Sequence, residues 1–257
     1  NYLKSQKFDL IIDNRTRPKV IKEFLINRLL FKNYNVVYVA RSRKIELYFT
    51  KSIYWAKKIF KNAFAYVGVS EDITNVLKND LKFTNVKTIN NPVEIEHNKK
   101  MAQEEIEYKM DYILFYGRLD DKVKNISFLI EAFKASDLPD HNIKLLILGD
   151  GEDLFNLKKK AENSPIEFIP FTNNPFPYIK NAKYCCLTSK FEGFPRAVIE
   201  SLSIGTPIVS VDCSGSKEII VNEYNGLLVE NNNLSEFTKA MNRLIFDEDL
   251  YSNCKRI

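Results

Sequence analysis

Short runs of β-branched, aliphatic and aromatic residues recur along the sequence with longer helix-length stretches between them, and this alternation limits the chain to few folds. The runs are "FDLIID", "NVVYVA", "AYVGVS" and "VKTIN", then "YILFYG", "IKLLILG", "IEFIP", "KYCCLTS", "TPIVSV" and "GLLVE". Helices are predicted over 17–31, 48–63 and 70–79, and again near 125–135 and 152–161. Such alternation builds βαβ units, hence parallel sheets covered by helices. The polar stretch "NNPVEIEHNKKMAQEEIEYK" interrupts the series and offers nothing that could form a core strand. The reading is α/β with two Rossmann-like domains, 1–97 and 111–257, joined by a linker at 98–110. The front domain counts four strands where a doubly wound domain has about five or six, and no Gly-rich turn follows its first strand, so it reads as incomplete.

A chain of 257 residues can hold two such cores. No apolar run approaches the roughly 18 residues of a membrane span. The opening "NYLKSQK" shows neither an apolar leader nor an initiator Met, which reads as a cytoplasmic chain trimmed at its start. Cys185, Cys186, Cys213 and Cys254 lack paired zinc spacing, and His97 and His141 lie far from them in sequence. Reduced structural thiols are expected, and a zinc or di-metal hydrolase is disfavoured. Residues 1–110 carry 21 Lys and Arg against 12 Asp and Glu, and residues 111–257 carry 17 against 21. The net charge of +5 therefore hides a basic front part that could face an anionic partner.

Within that part, "KSIYWAKKIFKNAF" (51–64) mixes Lys51, Lys57, Lys58 and Lys61 with Tyr54, Trp55, Phe60 and Phe64. Helical spacing would turn Ile53, Ala56, Phe60 and Phe64 inward and leave lysines outside. The segment reads either as an amphipathic core helix with a solvated face or as one lying against an anionic membrane, Tyr54 and Trp55 at the headgroups. Nucleic acid is not expected, since no recognisable motif accompanies the charge.

Three stretches of the second half carry chemistry. In "YILFYGRLDDKVKNISF" a strand ends at Gly117, Arg118 follows, and Lys124 precedes a helix; cations at the carboxyl edge of a parallel sheet suit phosphates, although Gly-Arg alone also makes a turn with a surface salt bridge. After "IKLLIL", the turn Gly149, Asp150, Gly151 lets backbone approach a ligand, or is simply tight. In "EGFPRAVIE", Pro195 is expected as the first residue of a helix, behind flexible Gly193 and Phe194. The free amides of that first turn make a positive pocket. Glu192 stands outside it, and Glu200 can lean back toward it, so two carboxylates are placed to accept hydrogen bonds from hydroxyls, although the nine residues alone also read as a solvated helix with a capping acid.

Taken in order, "GRL…K", "LGDG", "NPFPYIKNAKYCCLTSKFEGFPRAVIESLSIGTPIVSVD" and "KEII…NGLLV" resemble the retaining, nucleotide-sugar-dependent glycosyltransferases of family 4, with the two-domain GT-B fold. The resemblance covers 111–246 well and the front loosely. It implies that Arg118 and Lys124 neutralise the donor diphosphate, that Glu200 binds the ribose hydroxyls, and that Glu192 lies near the donor sugar. Gly193, Phe194 and Pro195 would present their backbone to sugar and phosphates, Phe171 and Thr172 would hold the base, and Glu218 matches a recurrent acid. It further implies transfer with retention, without a metal or other cofactor.

The sequence departs from the family pattern in four places. Four residues separate "GRL" from Lys124 where three are common, which brings in Lys122; Arg41 and Ser42 stand where a His is usual; the family's first Gly-rich loop is missing; and "DCSGSKEI" is one residue short. The resulting expectation is transfer of a hexose or N-acetylhexosamine from a nucleotide sugar, UDP-linked, to a lipid-linked or surface glycan at the inner membrane face. The alternative is a donor-binding half that needs another chain for its acceptor.

Overall fold

Parallel strands covered on both faces need nearly continuous apolar sequence, and the second half supplies it: "YILFY", "KLLIL", "CCL" and "IVSV" each become an almost wholly buried strand. The computed structural model describes residues 8–255. The opening "NYLKSQK", read above for a leader, lies outside them. The described chain divides into two compact units between Asn91 and Pro92.

The first unit carries strands β1 (Ile11–Asp13), β2 (Val36–Ala40), β3 (Ala63–Gly68) and β4 (Val86–Thr88), all parallel and in sequential order. Helices α1 (Val20–Leu29), α2 (Ile53–Ile59) and α3 (Glu71–Asn79) make the crossovers. Ser52 and Ser70 cap the last two, each hydroxyl accepting from an amide three residues on. The core is aromatic: Tyr66 stacks on Phe83 with centroids 3.9 Å apart, and Tyr38, Phe49 and Phe60 meet edge to face. Arg17 is buried among these rings and donates to the carbonyls of Asp13, Val39 and Tyr48 at 2.9, 3.1 and 2.8 Å.

The segment 51–64 differs from its helical reading at both ends. Ile53 is exposed, and Phe64 is exposed on β3, because the helix stops at Ile59; Ala56, Ile59 and Phe60 form the inward set.

The second unit opens with α4 (Ile95–Met101), in the stretch read as the end of the first domain and the start of a linker. This helix packs on the second unit: the Asn98 side-chain amide donates to Ser203 Oγ at 3.0 Å, and Asn174 donates to the Met101 carbonyl at 3.0 Å. Then follow β5 (Tyr112–Tyr116), α5 (Asp121–Lys124), α6 (Ile126–Lys134), β6 (Lys144–Leu148), α7 (Leu154–Ala161), β7 (Ile166–Ile169), α8 (Phe176–Asn181), β8 (Cys185–Leu187), α9 (Arg196–Ser203), β9 (Ile208–Val211), β10 (Gly226–Val229), α10 (Leu234–Phe246) and α11 (Glu248–Lys255). The parallel sheet runs β7-β6-β5-β8-β9-β10, the doubly wound order. Successive crossovers leave β5 in opposite directions, so a crevice opens between the carboxyl ends of β5 and β8, where such sheets bind ligands.

Candidate functional site

Three loops at that crevice, after β5, β6 and β8, hold most of the residues singled out from sequence; Phe171 and Thr172 follow β7, and Glu200 lies in α9. The first two, after β5 and β6, touch backbone to backbone: the Leu119 amide donates to the Asp150 carbonyl at 2.8 Å, and the Asp153 amide to the Leu119 carbonyl at 3.3 Å. That approach requires glycine. A Cβ on Gly149, whose φ is +148°, would lie 1.9 Å from the Gly117 carbonyl oxygen, and one on Gly151 would lie 2.3 Å from that of Leu119.

A cavity of about 320 Å³ opens beside these loops, lined by Gly117, Arg118, Gly149, Asp150, Phe171 and Thr172 together with Tyr116, Leu148 and Pro175. Six residues predicted from three separate motifs thus share one wall. The Arg118 side chain is largely exposed, and its guanidinium is 3.0 Å from the Asp120 carboxylate. Phe171 presents an exposed ring, a surface on which a planar base can stack.

Lys124 ends the short α5, and Asn125 in the left-handed conformation separates it from α6. The Asp121 carboxylate accepts from the amide and hydroxyl of Ser127 at 2.7 and 2.5 Å, capping α6 from outside. This aims the Lys124 ammonium at Glu192 Oε1, 2.6 Å away, with both side chains mostly buried. Lys122, two positions earlier, is more exposed than Lys124.

The third loop, Glu192 to Pro195 after β8, lies against the turn after β9. Glu192 pairs with Ser214 as an isolated parallel bridge, and a Cβ on Gly215 would fall 2.4 Å from the Gly193 carbonyl oxygen. Pro195 is the residue before α9 rather than its first helical residue: its backbone is extended, and its carbonyl accepts from the Val198 amide at 3.1 Å. A ring-fixed φ near −69° fits this cap as well as it fits a helix. No side chain caps α9, which leaves the amides of Arg196 and Ala197, ahead of the Val198 bond, for an external acceptor.

Glu200, one turn into α9, does lean back toward the helix start. Arg196 holds its Oε1 at 2.7 Å, and the Tyr116 hydroxyl lies 3.5 Å from its Oε2 while donating to the Ala197 carbonyl at 2.8 Å. Burial pushes the Tyr116 phenol well up, with Cys185 and Glu200 adding to it, so it stays a donor. Tyr116 thus ties the wall of the cavity to Glu200. The sequence reading missed it because a Tyr closing a buried strand looks like core, and only its place just before Gly117 marks it. Glu218 closes the single turn Gly215–Glu218 and is exposed.

The geometry therefore offers cations, an uncapped helix start, an exposed ring and acids with free oxygen capacity around one crevice. A family model for "Glycosyl transferases group 1" matches residues 96–257. Similar curated proteins include an uncharacterised glycosyltransferase of Haemophilus influenzae, 35% identical over 72% of this chain and 52% of the relative. Another is the N-acetylgalactosamine-N,N'-diacetylbacillosaminyl-diphospho-undecaprenol 4-alpha-N-acetylgalactosaminyltransferase of Campylobacter jejuni, 33% identical over 62% of this chain and 44% of the relative. The chain spans about half the length of these curated relatives. Among solved structures, Anabaena HepE in complex with UDP superposes with a TM-score of 0.80 at 17% identity, covering 99% of this chain and 74% of that one. A TarM mutant of S. aureus in complex with Fondaparinux, alpha-GlcNAc-glycerol and UDP gives 0.78 at 20%, covering 99% and 52%. These likenesses show the α/β fold of GT-B glycosyltransferases. With the family match spanning more than half of its length, the chain belongs to the group 1 glycosyl transferases.

Proposed function

We propose that the chain transfers a hexose or N-acetylhexosamine from a UDP-sugar to a lipid-linked or surface glycan, with retention of anomeric configuration. The observation that carries this reading is the convergence of Arg118, the two glycine turns and Phe171 on one cavity, with Lys124 and Glu192 paired in the loops at the same sheet edge. In this reading Phe171 and Thr172 take the base, Glu200 the ribose hydroxyls and Glu192 the sugar side. Gly193, Phe194 and Pro195 bring their backbone to the sugar and phosphates.

Departure of a nucleoside diphosphate leaves negative charge on its outer phosphate. In this reading the Arg118 guanidinium, the Lys124 ammonium and the start of α9 are the donors that meet that charge. This reading assigns the stabilisation to side chains and backbone amides rather than to a metal. The acceptor class follows relatives whose names describe a diphospho-undecaprenol substrate and a lipopolysaccharide 1,6-galactosyltransferase. The lysines and exposed aromatics of 51–64 suit an anionic membrane surface presenting such an acceptor.

Calorimetry with UDP tests the donor reading. Glu200→Gln should weaken binding roughly tenfold, as expected for losing a charged hydrogen bond, and Arg118→Ala should weaken it and slow transfer as well. Unchanged UDP affinity in both variants would refute the assignment.

A further inference from the structure

The first unit contains a second cavity, of about 420 Å³, framed by the ends of α1 and α2. Arg28 and Lys32 line it from α1 and the turn beyond, Lys58 and Lys61 from α2 and the turn beyond, and no Asp or Glu is among its described lining residues. Two helix C-termini explain part of this charge, since each carries roughly half a negative unit. Four cations exceed that by a wide margin. Excess positive charge around a concave space, with the side-chain amides of Asn27 and Asn62 alongside, suits a phosphate group.

Position separates this cavity from any ligand site of the sheet itself. Crossover helices run antiparallel to their strands, so the ends of α1 and α2 lie at the amino edge of β2 and β3, opposite the carboxyl edge where α/β sheets bind ligands. Its surroundings are apolar and exposed. Ile21, Leu25 and Leu29 follow one another at four-residue spacing along α1 toward the cavity, and all three are exposed. On α2, Tyr54 and Trp55 precede Lys58 by one turn, and the Lys58 ammonium lies 5.4 and 5.0 Å from their ring centroids. Cations next to exposed aliphatic and indole side chains match the headgroup layer of an anionic bilayer better than they match a soluble anion.

We infer that this cavity seats the phosphate of an anionic lipid headgroup, with Leu25, Leu29 and Trp55 entering the interface beside it. The inference rests on the proposed membrane contact of the first unit and names the site through which that contact acts.

Cosedimentation of the full chain with phosphatidylglycerol vesicles, against phosphatidylcholine vesicles, is the test. Arg28→Gln/Lys32→Gln and Lys58→Gln/Lys61→Gln should each lower partition onto the anionic vesicles roughly tenfold or more. Lys78→Gln/Lys87→Gln, which removes the same charge from exposed positions outside the cavity, should stay within about threefold of the unaltered chain. Equal losses in all three variants would reduce the effect to net charge and overturn the cavity. If Trp55→Ala abolished vesicle binding while both cavity variants kept it, the membrane contact would stand and the cavity would fall. An unaltered chain indifferent to lipid charge would overturn both. Glycerol 1-phosphate in solution distinguishes the sources: binding it as tightly as vesicles would replace the lipid with a soluble ester. The near-UV circular dichroism of the first unit's packed rings, Tyr66 on Phe83 among them, reports that each charge variant is folded, and loss of UDP binding alongside charge-selective partition would count against the donor reading only.

Discussion

Lys124 and Glu192 are 68 positions apart in sequence and 2.6 Å apart in space, and neither side chain is more than about a quarter exposed. Removing one partner from such a pair strands the other charge in partly desolvated surroundings, which costs more than losing the pair as a whole. Lys124→Ala should therefore destabilise the protein by about 1–2 kcal/mol in urea unfolding, and adding Glu192→Ala should recover part of that loss. A double variant no more stable than Lys124→Ala would mean that the pair is not what the lysine contributes. The sequence showed these two residues as members of separate motifs and could not show them touching, because contact depends on how the loops after β5 and β8 face the crevice. Arg17 is the opposite case. By composition it counts among the front part's surplus cations, yet it is fully buried, its guanidinium 4.9 Å from the Phe49 ring and 3.4 Å from Asp13. No local pattern in "NRTRPK" distinguishes it from exposed Arg15, since its burial follows from aromatic side chains on β2 and the segments after it.

The strand-to-loop junctions show how much of an element's geometry can be tested by single glycines. Gly117 and Gly149 both have φ near +145°, at +144° and +148°, so both incur the strain of a left-handed position when a side chain is added. Only Gly149 also has backbone in the way; Gly117 has nothing within 4 Å of an added Cβ. Gly117→Ala should cost roughly 1–2 kcal/mol from strain, and Gly149→Ala about 3 kcal/mol or more, because the ends of β5 and β6 must also part. Equal costs in thermal unfolding would show that close approach contributes nothing. At this scale the sequence was most readable: β-branched and aliphatic runs marked every strand found among the described residues, because strands buried on both faces leave little choice of side chain. Element ends were less readable. Phe64 continues the helical spacing of 51–60 but belongs to β3, and Pro195 stands one place before the helix it was expected to begin, because a proline satisfies the cap and the first helical position equally well.

Across the molecule, burial makes the alkaline limb of stability predictable. Cys185 and Cys213 are pushed up to about 12, and Tyr116 and Tyr184 well above the usual phenol range, because each ionised form would sit in apolar surroundings. The folded state keeps these protons after the unfolded chain would release them, near 9 for thiols and 10 for phenols. Their contribution is complete below about pH 9 and falls as pH rises toward 12, so melting temperature should be level up to about pH 9 and then decline. A level profile up to about pH 11 would mean that these groups are not desolvated. The partition into units leads to a second expectation. Every residue assigned to the donor, from Gly117 to Glu200, lies in 92–257, and α4 packs there through Asn98, with Ala102 buried at its end. Charge and polarity placed the boundary later in sequence, because "EIEHNKKM" is polar on most of its surface, and only the side that meets α8 and α9 reveals where it belongs. A chain trimmed to 92–257 should fold cooperatively and bind UDP within about twofold of the full chain, since nothing assigned to the donor is removed. One trimmed to 111–257 loses α4 and uncovers the surfaces of α8 and α9 beneath it. If that costs about 2 kcal/mol, the melting temperature should drop by roughly 4–8 °C. Equal melting temperatures for the two trimmed chains would make α4 a tether with no structural part in the donor unit.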